Sequence, residues 1–277
     1  MRITTNPEPS KKDNNVMRRS ILSLMLLGTV ALLGSSTAEA AASKGTTIVL
    51  VHGAFAESAS WNGVIADLEK DGYPVVAVAN PLRSVKGDGA YVSSLVGSIH
   101  GPVVLVGHSY GGLVINAAAG GHDNVKGLVF VAGFAPETGE SGVDLSGHFP
   151  GSTLAETLAP PVPLPDGGKD IYIDQNKFPA QFAADLPTKE AKLMAAAQRP
   201  VTEAALSEPA GSPAWKTVPS WFIYGSQDKN IPSAVHAFMA KRADAKETVE
   251  VKGASHVVMI SHPREVTAMI EKAANFE

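Results

Sequence analysis

Six short apolar runs recur along the chain, each four or five residues long and together rich in valine and isoleucine. They occupy residues 47–51, 75–79, 103–106, 128–132, 221–224 and 248–251. Continuous apolar runs of this length are typical of strands that are covered on both faces, as in a parallel sheet. The sequence therefore predicts a sheet of about six mostly parallel strands.

Segments with apolar residues at helical spacing separate these runs. Val64, Ile65 and Leu68 follow the first run, and Pro263 opens a last segment in which Val266 and Met269 repeat in the same way. Proline is favoured at the first position of a helix, and this spacing gives a helix one apolar face. Because strand and helix alternate, the predicted class is α/β, with helices flanking the sheet.

The alternation is interrupted between the fourth and fifth runs. A connection of that length is far longer than an ordinary loop, so we expect a lid inserted over residues 134–215, before the fifth run. Within it, residues 160–165 contain four prolines and are predicted to be extended. Disorder is the alternative for this proline run alone.

The first 40 residues have the layout of an export signal. Arg18 and Arg19 precede an uncharged apolar stretch, residues 21–33, and small residues follow at 38–40. We therefore expect a signal peptide over residues 1–40, with Met17 as a possible true start, and a single folded domain over residues 41–277. A stretch this short does not cross an apolar layer of about 30 Å, so no permanent membrane anchor is expected.

This layout predicts a secreted or periplasmic protein. The general secretory route satisfies these residues, and the arginine pair leaves the twin-arginine route open. The sequence makes no prediction about oligomeric state.

Composition excludes several kinds of partner and chemistry. The formal net charge is -4 and no long basic run occurs, so nucleic acid is not an expected partner. The absence of cysteine excludes disulfides and a cysteine nucleophile. No metal motif, phosphate-binding loop or dinucleotide fingerprint is present, so no metal and no cofactor are predicted.

Residues 107–112, Gly-His-Ser-Tyr-Gly-Gly, join the third apolar run to a helical run at 113–119. A serine flanked by glycines between a strand and a helix is typical of a nucleophile elbow, whose strained turn exposes the hydroxyl. Ser109 is therefore the candidate nucleophile. The alternative is a serine in an ordinary glycine-rich turn.

A serine nucleophile requires a histidine to accept its proton and a carboxylate to orient that histidine. Asp228 follows the fifth run and His256 follows the sixth, so both are expected at the carboxyl edge of the sheet, beside Ser109. Asp144 and Glu137 are alternative acids, and His262 is the alternative base.

The intermediate of acyl transfer also requires hydrogen-bond donors for its oxyanion. We expect these to be the backbone N–H groups of Tyr110, directly after the serine, and of Ala54, in the turn after the first run. His52 in that turn has no partner at metal-ligand spacing and is predicted to hold the loop. His236 and His100 lie on predicted helices, away from the strand ends.

These motifs, in the chain order Ser109, Asp228, His256, resemble the α/β-hydrolase superfamily. The turn His52-Gly53-Ala54 and residues 107–112 are most similar to the small serine esterases, a branch that holds plant methylesterases, hydroxynitrile lyases and bacterial carboxylesterases. The resemblance covers essentially all of residues 41–277 and implies cofactor-free chemistry. Hydroxynitrile lyases carry a threonine at the turn and a lysine near the histidine. Ala54-Phe55 and Lys252 do not reproduce that pair.

The resemblance implies a serine-dependent hydrolase of carboxylic esters that forms an acyl-enzyme on a Ser-His-Asp triad. The expected substrate is a small-molecule ester with an apolar acyl or aryl group. Lactonase, amidase and cofactor-free haloperoxidase or perhydrolase activities are the alternatives, and a non-catalytic ligand-binding protein is the most distant one. The candidate substrate-contacting residues are Phe55, Phe149, Leu154, Phe178 and Phe182.

Overall fold

A computed structural model describes residues 44–276, which contain strands at all six apolar runs and three further short strands between the fourth and fifth runs. They are β1 (Thr47–Val51), β2 (Val75–Val78), β3 (Val103–His108), β4 (Val125–Val131), β5 (Val162–Pro163), β6 (Lys169–Ile171), β7 (Val201–Thr202), β8 (Ser220–Gly225) and β9 (Glu247–Val251). Six of these form one parallel sheet in the order β2-β1-β3-β4-β8-β9. The predicted α/β class and the six-stranded sheet are confirmed.

Helices flank this sheet. They are α1 (Asn62–Lys70), α2 (Val85–Ser98), α3 (Gly111–Ala118), α4 (Gly142–Ser146), α5 (Phe178–Phe182), α6 (Thr188–Ala197), α7 (Glu203–Ser207), α8 (Ser233–Arg242), α9 (Val258–Ser261) and α10 (Pro263–Ala274). Helix α3 packs against α2 and against β1, β3 and β4, while α10 packs against α1 and against β3, β4 and β8.

Burial explains why the strands of the parallel sheet appear in the sequence as continuous apolar runs. Every residue of β3 and of β8 is buried, because both strands lie inside the sheet and are covered on both faces. The edge strand β9 alternates half-buried and exposed residues and carries glutamate at Glu247 and Glu250. Helix α10 buries Val266, Met269 and Ile270, as its spacing predicts.

The segment between β4 and β8 has its own architecture. It contains α4 to α7 and a three-stranded antiparallel sheet in the order β5-β6-β7. The proline run is extended, as predicted, because Val162 and Pro163 pair with β6 as an edge strand. Arg83, which precedes α2, bonds Asp170 at 2.6 Å and the Pro200 carbonyl at 2.7 Å. That this segment opens as a lid stays a prediction.

The expected signal peptide, residues 1–40, lies outside the described residues. Among the helices of residues 44–276, none combines the length and the apolar character that crossing a bilayer requires.

Candidate active site

Ser109 lies in the turn between β3 and α3 with a φ of 53°. Residues other than glycine rarely adopt this left-handed backbone conformation, which persists only where surrounding contacts enforce it. Its N–H faces the carbonyls of Val131 and Ala132 at 3.3 and 3.2 Å, and its own carbonyl accepts from Gly112 and Phe134. The end of β4 therefore holds the strained turn in place.

Glycines make room for this turn. A Cβ at Gly107 would collide with the backbone of Gly111, and one at Gly111 would collide with the Val51 carbonyl. A Cβ at Gly112 would collide with the backbone of Phe134. The turn therefore packs directly on the ends of β1 and β4, where only hydrogen atoms fit.

Asp228 and His256 meet in the loops that follow β8 and β9. The Nδ1 atom of His256 lies 2.7 Å from Oδ2 of Asp228, and both side chains are buried. The other carboxylate oxygen of Asp228 accepts the N–H groups of Asn230 and Ile231 at 2.8 and 2.9 Å. The carboxylate is thus fixed, and it orients the His256 ring so that Nδ1 carries the proton.

The two loops are also joined to each other. The Gln227 N–H donates to the Ala254 carbonyl at 2.9 Å, and the Gly253 N–H donates to Ser226 Oγ at 2.8 Å. A Cβ at Gly225 would collide with that same Ala254 carbonyl.

Two opposing effects set the charge of Asp228. Burial raises the pKa of this carboxyl, but the His256 charge and the hydrogen bonds from His236 and His256 outweigh burial and hold the pKa well below its usual range. Asp228 is therefore a carboxylate at neutral pH.

Ser109 and His256 line one cavity of about 330 Å³. The Nε2 atom of His256 is buried without a hydrogen-bond partner among the described residues. No hydrogen bond joins it to Ser109 Oγ in the part of the chain that the structure describes. Contacts of this kind often tighten when substrate binds, and the two residues already share the space in which they would meet.

Both residues that are expected to supply the oxyanion donors line the same cavity. Ala54 and Tyr110 both line it, and neither N–H donates a hydrogen bond to any residue in the 44–276 range. The neighbouring Phe55 N–H is occupied, because it donates to the Arg199 carbonyl at 3.0 Å. The Tyr110 side chain is anchored in the core through a 2.8 Å hydrogen bond to Asp88. The N–H groups of Ala54 and Tyr110 therefore have no competing partner in this range, and their role as oxyanion donors stays a prediction.

A model of the alpha/beta hydrolase family matches residues 48–269. The chain belongs to this family. The sequence is 27% identical over 250 residues to Methylesterase 7 of Arabidopsis thaliana, covering 82% of this chain and 95% of that protein. It is 28% identical over 258 residues to a pyrethroid hydrolase of Sphingobium wenxiniae, covering 83% and 88%. The crystal structure of polyneuridine aldehyde esterase superposes with a TM-score of 0.72 at 20% identity, covering 83% and 99%. The predicted resemblance to the small-esterase branch is confirmed.

The cavity of this hydrolase is lined mainly by apolar side chains. Of the predicted substrate contacts, Phe55 and Leu154 are among them. Phe149 instead packs against Phe238, with ring centroids 5.9 Å apart. Phe178 and Phe182 are fully buried, and the Phe182 ring supports His256 from behind at 5.0 Å. Three of the five aromatic or aliphatic candidates therefore pack the protein rather than line the cavity.

The alternative acids and base have other partners in this hydrolase. Asp144 accepts hydrogen bonds from Ser141 at the start of α4, and Glu137 pairs with Lys216 at 2.7 Å. His262 faces Ser261 at 2.8 Å. None of the three contacts Ser109 or His256.

His52 holds the turn after β1. Its Nδ1 donates to the Gly53 carbonyl at 2.9 Å, and its Nε2 accepts the Asn80 N–H at 3.1 Å. Burial lowers the pKa of His52 to about 4, so the ring is neutral. Within residues 44–276, no group of three or more His, Asp or Glu side chains is arranged to hold a metal ion.

Sequence reasoning missed His236. It lies on α8, yet its Nε2 is 3.3 Å from Asp228 Oδ2, and its ring stacks on Tyr224 at 4.7 Å. Burial lowers the pKa of His236, so the neutral ring donates to the carboxylate. Its position eight residues after the acid, on a helix that begins directly after the acid loop, is the signal that was available.

Proposed function

We propose that this hydrolase cleaves carboxylic esters through an acyl-enzyme on Ser109. The observation that carries the proposal is the buried 2.7 Å contact between His256 and Asp228, beside the cavity that Ser109 lines. The names of the relatives, a methylesterase and a pyrethroid hydrolase, support ester cleavage.

In the proposed reaction, His256 Nε2 takes the proton of Ser109 Oγ as the oxygen attacks the ester carbonyl. Asp228 keeps the proton of His256 on Nδ1 and stabilises the positive ring. The carbonyl oxygen becomes an oxyanion and accepts the N–H groups of Ala54 and Tyr110. The alcohol leaves with the proton from His256, and water then repeats the sequence to release the acid and restore Ser109.

The cavity supports a small substrate. Its volume of about 330 Å³ is near the lower end of ligand pockets, which span roughly 300–1,000 Å³. Phe55, Phe134, Val143 and Leu154 give it apolar walls. We propose a small-molecule ester with an apolar acyl or aryl group.

The test compares the purified protein with Ser109→Ala on p-nitrophenyl acetate and butyrate. We expect hydrolysis to fall by about 10⁴-fold or more, because the acyl-enzyme cannot form. Ser94→Ala, at an exposed position on α2, is the matched control and should keep wild-type activity. Equal hydrolysis by the wild type and Ser109→Ala would contradict the proposal. Faster turnover of lactones, anilides or a peroxide-dependent substrate would change the substrate class and keep the nucleophile.

We further propose that residues 1–40 direct export, on the basis of the arginine pair, the apolar stretch and the small residues that follow it. Expression in a bacterial host, followed by fractionation and N-terminal sequencing, tests this. A mature N-terminus near residue 41 outside the cytoplasm is expected. A cytoplasmic protein that keeps residues 18–40 would contradict it.

A further inference from the structure

Eight buried side-chain nitrogen or oxygen atoms lack a hydrogen-bond partner in the described part of the chain. Two of them belong to residues that line the cavity beside Ser109: His256 Nε2 and Asn230 Nδ2. The proposed mechanism gives His256 Nε2 its partner. It gives none to the amide of Asn230.

The orientation of the Asn230 amide is fixed by its neighbours. Gln181 donates from Nε2 to the Lys229 carbonyl at 3.0 Å, and a carbonyl can only accept, so this nitrogen is assigned. The same Nε2 lies 2.7 Å from Asn230 Oδ1, which must therefore be the oxygen. The NH₂ group of Asn230 is consequently the side that is left without a partner.

The other polar groups of Asn230 are all used. Its N–H donates to Asp228 Oδ1 at 2.8 Å, and its carbonyl accepts from Ser152 Oγ at 2.9 Å. The residue is 3% exposed and lies two positions after the acid in the chain. Asn230 is thus held by three hydrogen bonds beside the cavity that it lines, and only its NH₂ group has no partner among the described residues.

We propose that Asn230 Nδ2 is a specificity-determining donor that binds a second oxygen of the substrate. This inference rests on the proposed esterase function and narrows its substrate class. The substrate is an ester with an ether, ketone or further carbonyl oxygen a few atoms from the scissile carbonyl. A buried donor without a partner is unfavourable, and sites built to bond a substrate group reject the analogue that lacks it.

Matched ester pairs test this inference. Phenyl methoxyacetate and phenyl butyrate differ by one oxygen for one methylene on the acyl side. The pair 2-methoxyethyl acetate and butyl acetate differs in the same way on the alcohol side. We define the oxygen preference as kcat/KM of the oxygenated ester divided by that of its hydrocarbon partner, so that comparing enzymes cancels intrinsic reactivity.

Asn230→Leu keeps the size of the side chain and removes the donor. In at least one pair we expect the oxygen preference to fall by about threefold to tenfold relative to wild type. Thr153→Val is the matched control. The Thr153 hydroxyl donates to Gln181 Oε1 at 2.8 Å, and Thr153 does not line the cavity. This variant should therefore keep the wild-type oxygen preference.

An unchanged oxygen preference in both pairs, with hydrolysis retained, overturns the role of Asn230. Hydrolysis of all four esters that is equal in wild type and Ser109→Ala overturns the proposed function itself, and this inference with it. If Asn230→Leu does not fold, a second measurement takes its place. The oxygen preference of the wild type is then divided by the same ratio of rate constants measured for hydrolysis of the two esters by hydroxide without enzyme. A quotient above about three in one pair is expected, and one at or below unity in both pairs overturns the inference.

Discussion

His236 Nε2 lies 3.3 Å from Asp228 Oδ2, the same carboxylate oxygen that accepts a hydrogen bond from His256 Nδ1 at 2.7 Å. With the N–H groups of Asn230 and Ile231, this gives Asp228 four donors. A carboxylate with that many donors stays ionised and cannot rotate away from His256.

Replacing His236 tests this positioning role. His236→Phe preserves stacking on Tyr224 and removes the donor, so we expect kcat to fall about tenfold with little change in KM. His236→Gln keeps a donor and should recover most of the activity. A fall that glutamine does not recover, or an unchanged kcat in His236→Phe, would contradict the positioning role.

Asp228→Asn should lower kcat by about 10⁴-fold. The N–H groups of Asn230 and Ile231 keep the amide oxygen at the Oδ1 position, so the NH₂ faces Nδ1 of His256 and favours the tautomer that carries its proton on Nε2. Stopped-flow and steady-state assays on the purified variant measure this loss. Asp144→Asn and Glu137→Gln are matched controls, since each changes an acid that lies outside the site, and both should stay within about twofold of wild type. A comparable loss of kcat in either control would contradict the assignment of Asp228 as the acid.

Buried neutral histidines predict acid sensitivity of the fold. The pKa of His52 is about 4 in the folded chain and near 6.5 when unfolded, and burial likewise lowers the pKa of His108 and His236. As the pH falls below 6.5, the unfolded chain binds protons that the folded chain excludes. The free energy of unfolding should therefore fall by about 1.4 kcal/mol per pH unit for each such group, until the folded pKa is reached.

Urea unfolding at pH values from 7 to 4.5 measures this dependence. His52→Asn should flatten the slope by the contribution of one histidine. His100→Asn, at an exposed position, should leave the slope unchanged. Equal slopes in wild type and His52→Asn would show that His52 is not responsible.

Gly111→Ala should destabilise the fold by about 1–3 kcal/mol or more, because the new Cβ meets the Val51 carbonyl and neither backbone can move freely. Gly211→Ala, where a Cβ meets nothing within 4 Å, should change stability by less than about 0.5 kcal/mol. Thermal melts of the two variants compare them directly. Similar melting temperatures would indicate that the elbow is less tightly packed than its geometry implies.

The sheet could be predicted because burial on both faces leaves a local signature in each strand. Ser109, Asp228 and His256 could be placed because each follows the end of an apolar run. His236 and Asn230 could not, since their partners depend on how the loop after β8 curls back on α8. In the β5-β6-β7 sheet, β6 pairs Asp170 with Thr202 and Ile171 with Val201, and no local pattern encodes a pairing between residues so far apart.

The sequence also could not predict whether a buried aromatic side chain lines the cavity or packs inside the protein. Phe55 and Phe182 touch each other edge to face, yet only Phe55 lines the cavity. A phenylalanine has the same apolar composition in a wall as in a core, so its type predicts burial and not its direction.

Because hydrogen bonds from Gln227 to Ala254 and from Gly253 to Ser226 join the loops after β8 and β9, we expect the acid and the base to move as one piece. The hydroxyl of Ser109 belongs to a separate part of the scaffold, anchored on β1 and β4. We therefore expect thermal motion of the sheet edge to change the distance between the alcohol and the imidazole more than the distance between the imidazole and the carboxylate. Substitutions far from the cavity that tilt β8 and β9 together should retune turnover without disturbing the imidazole–carboxylate pair.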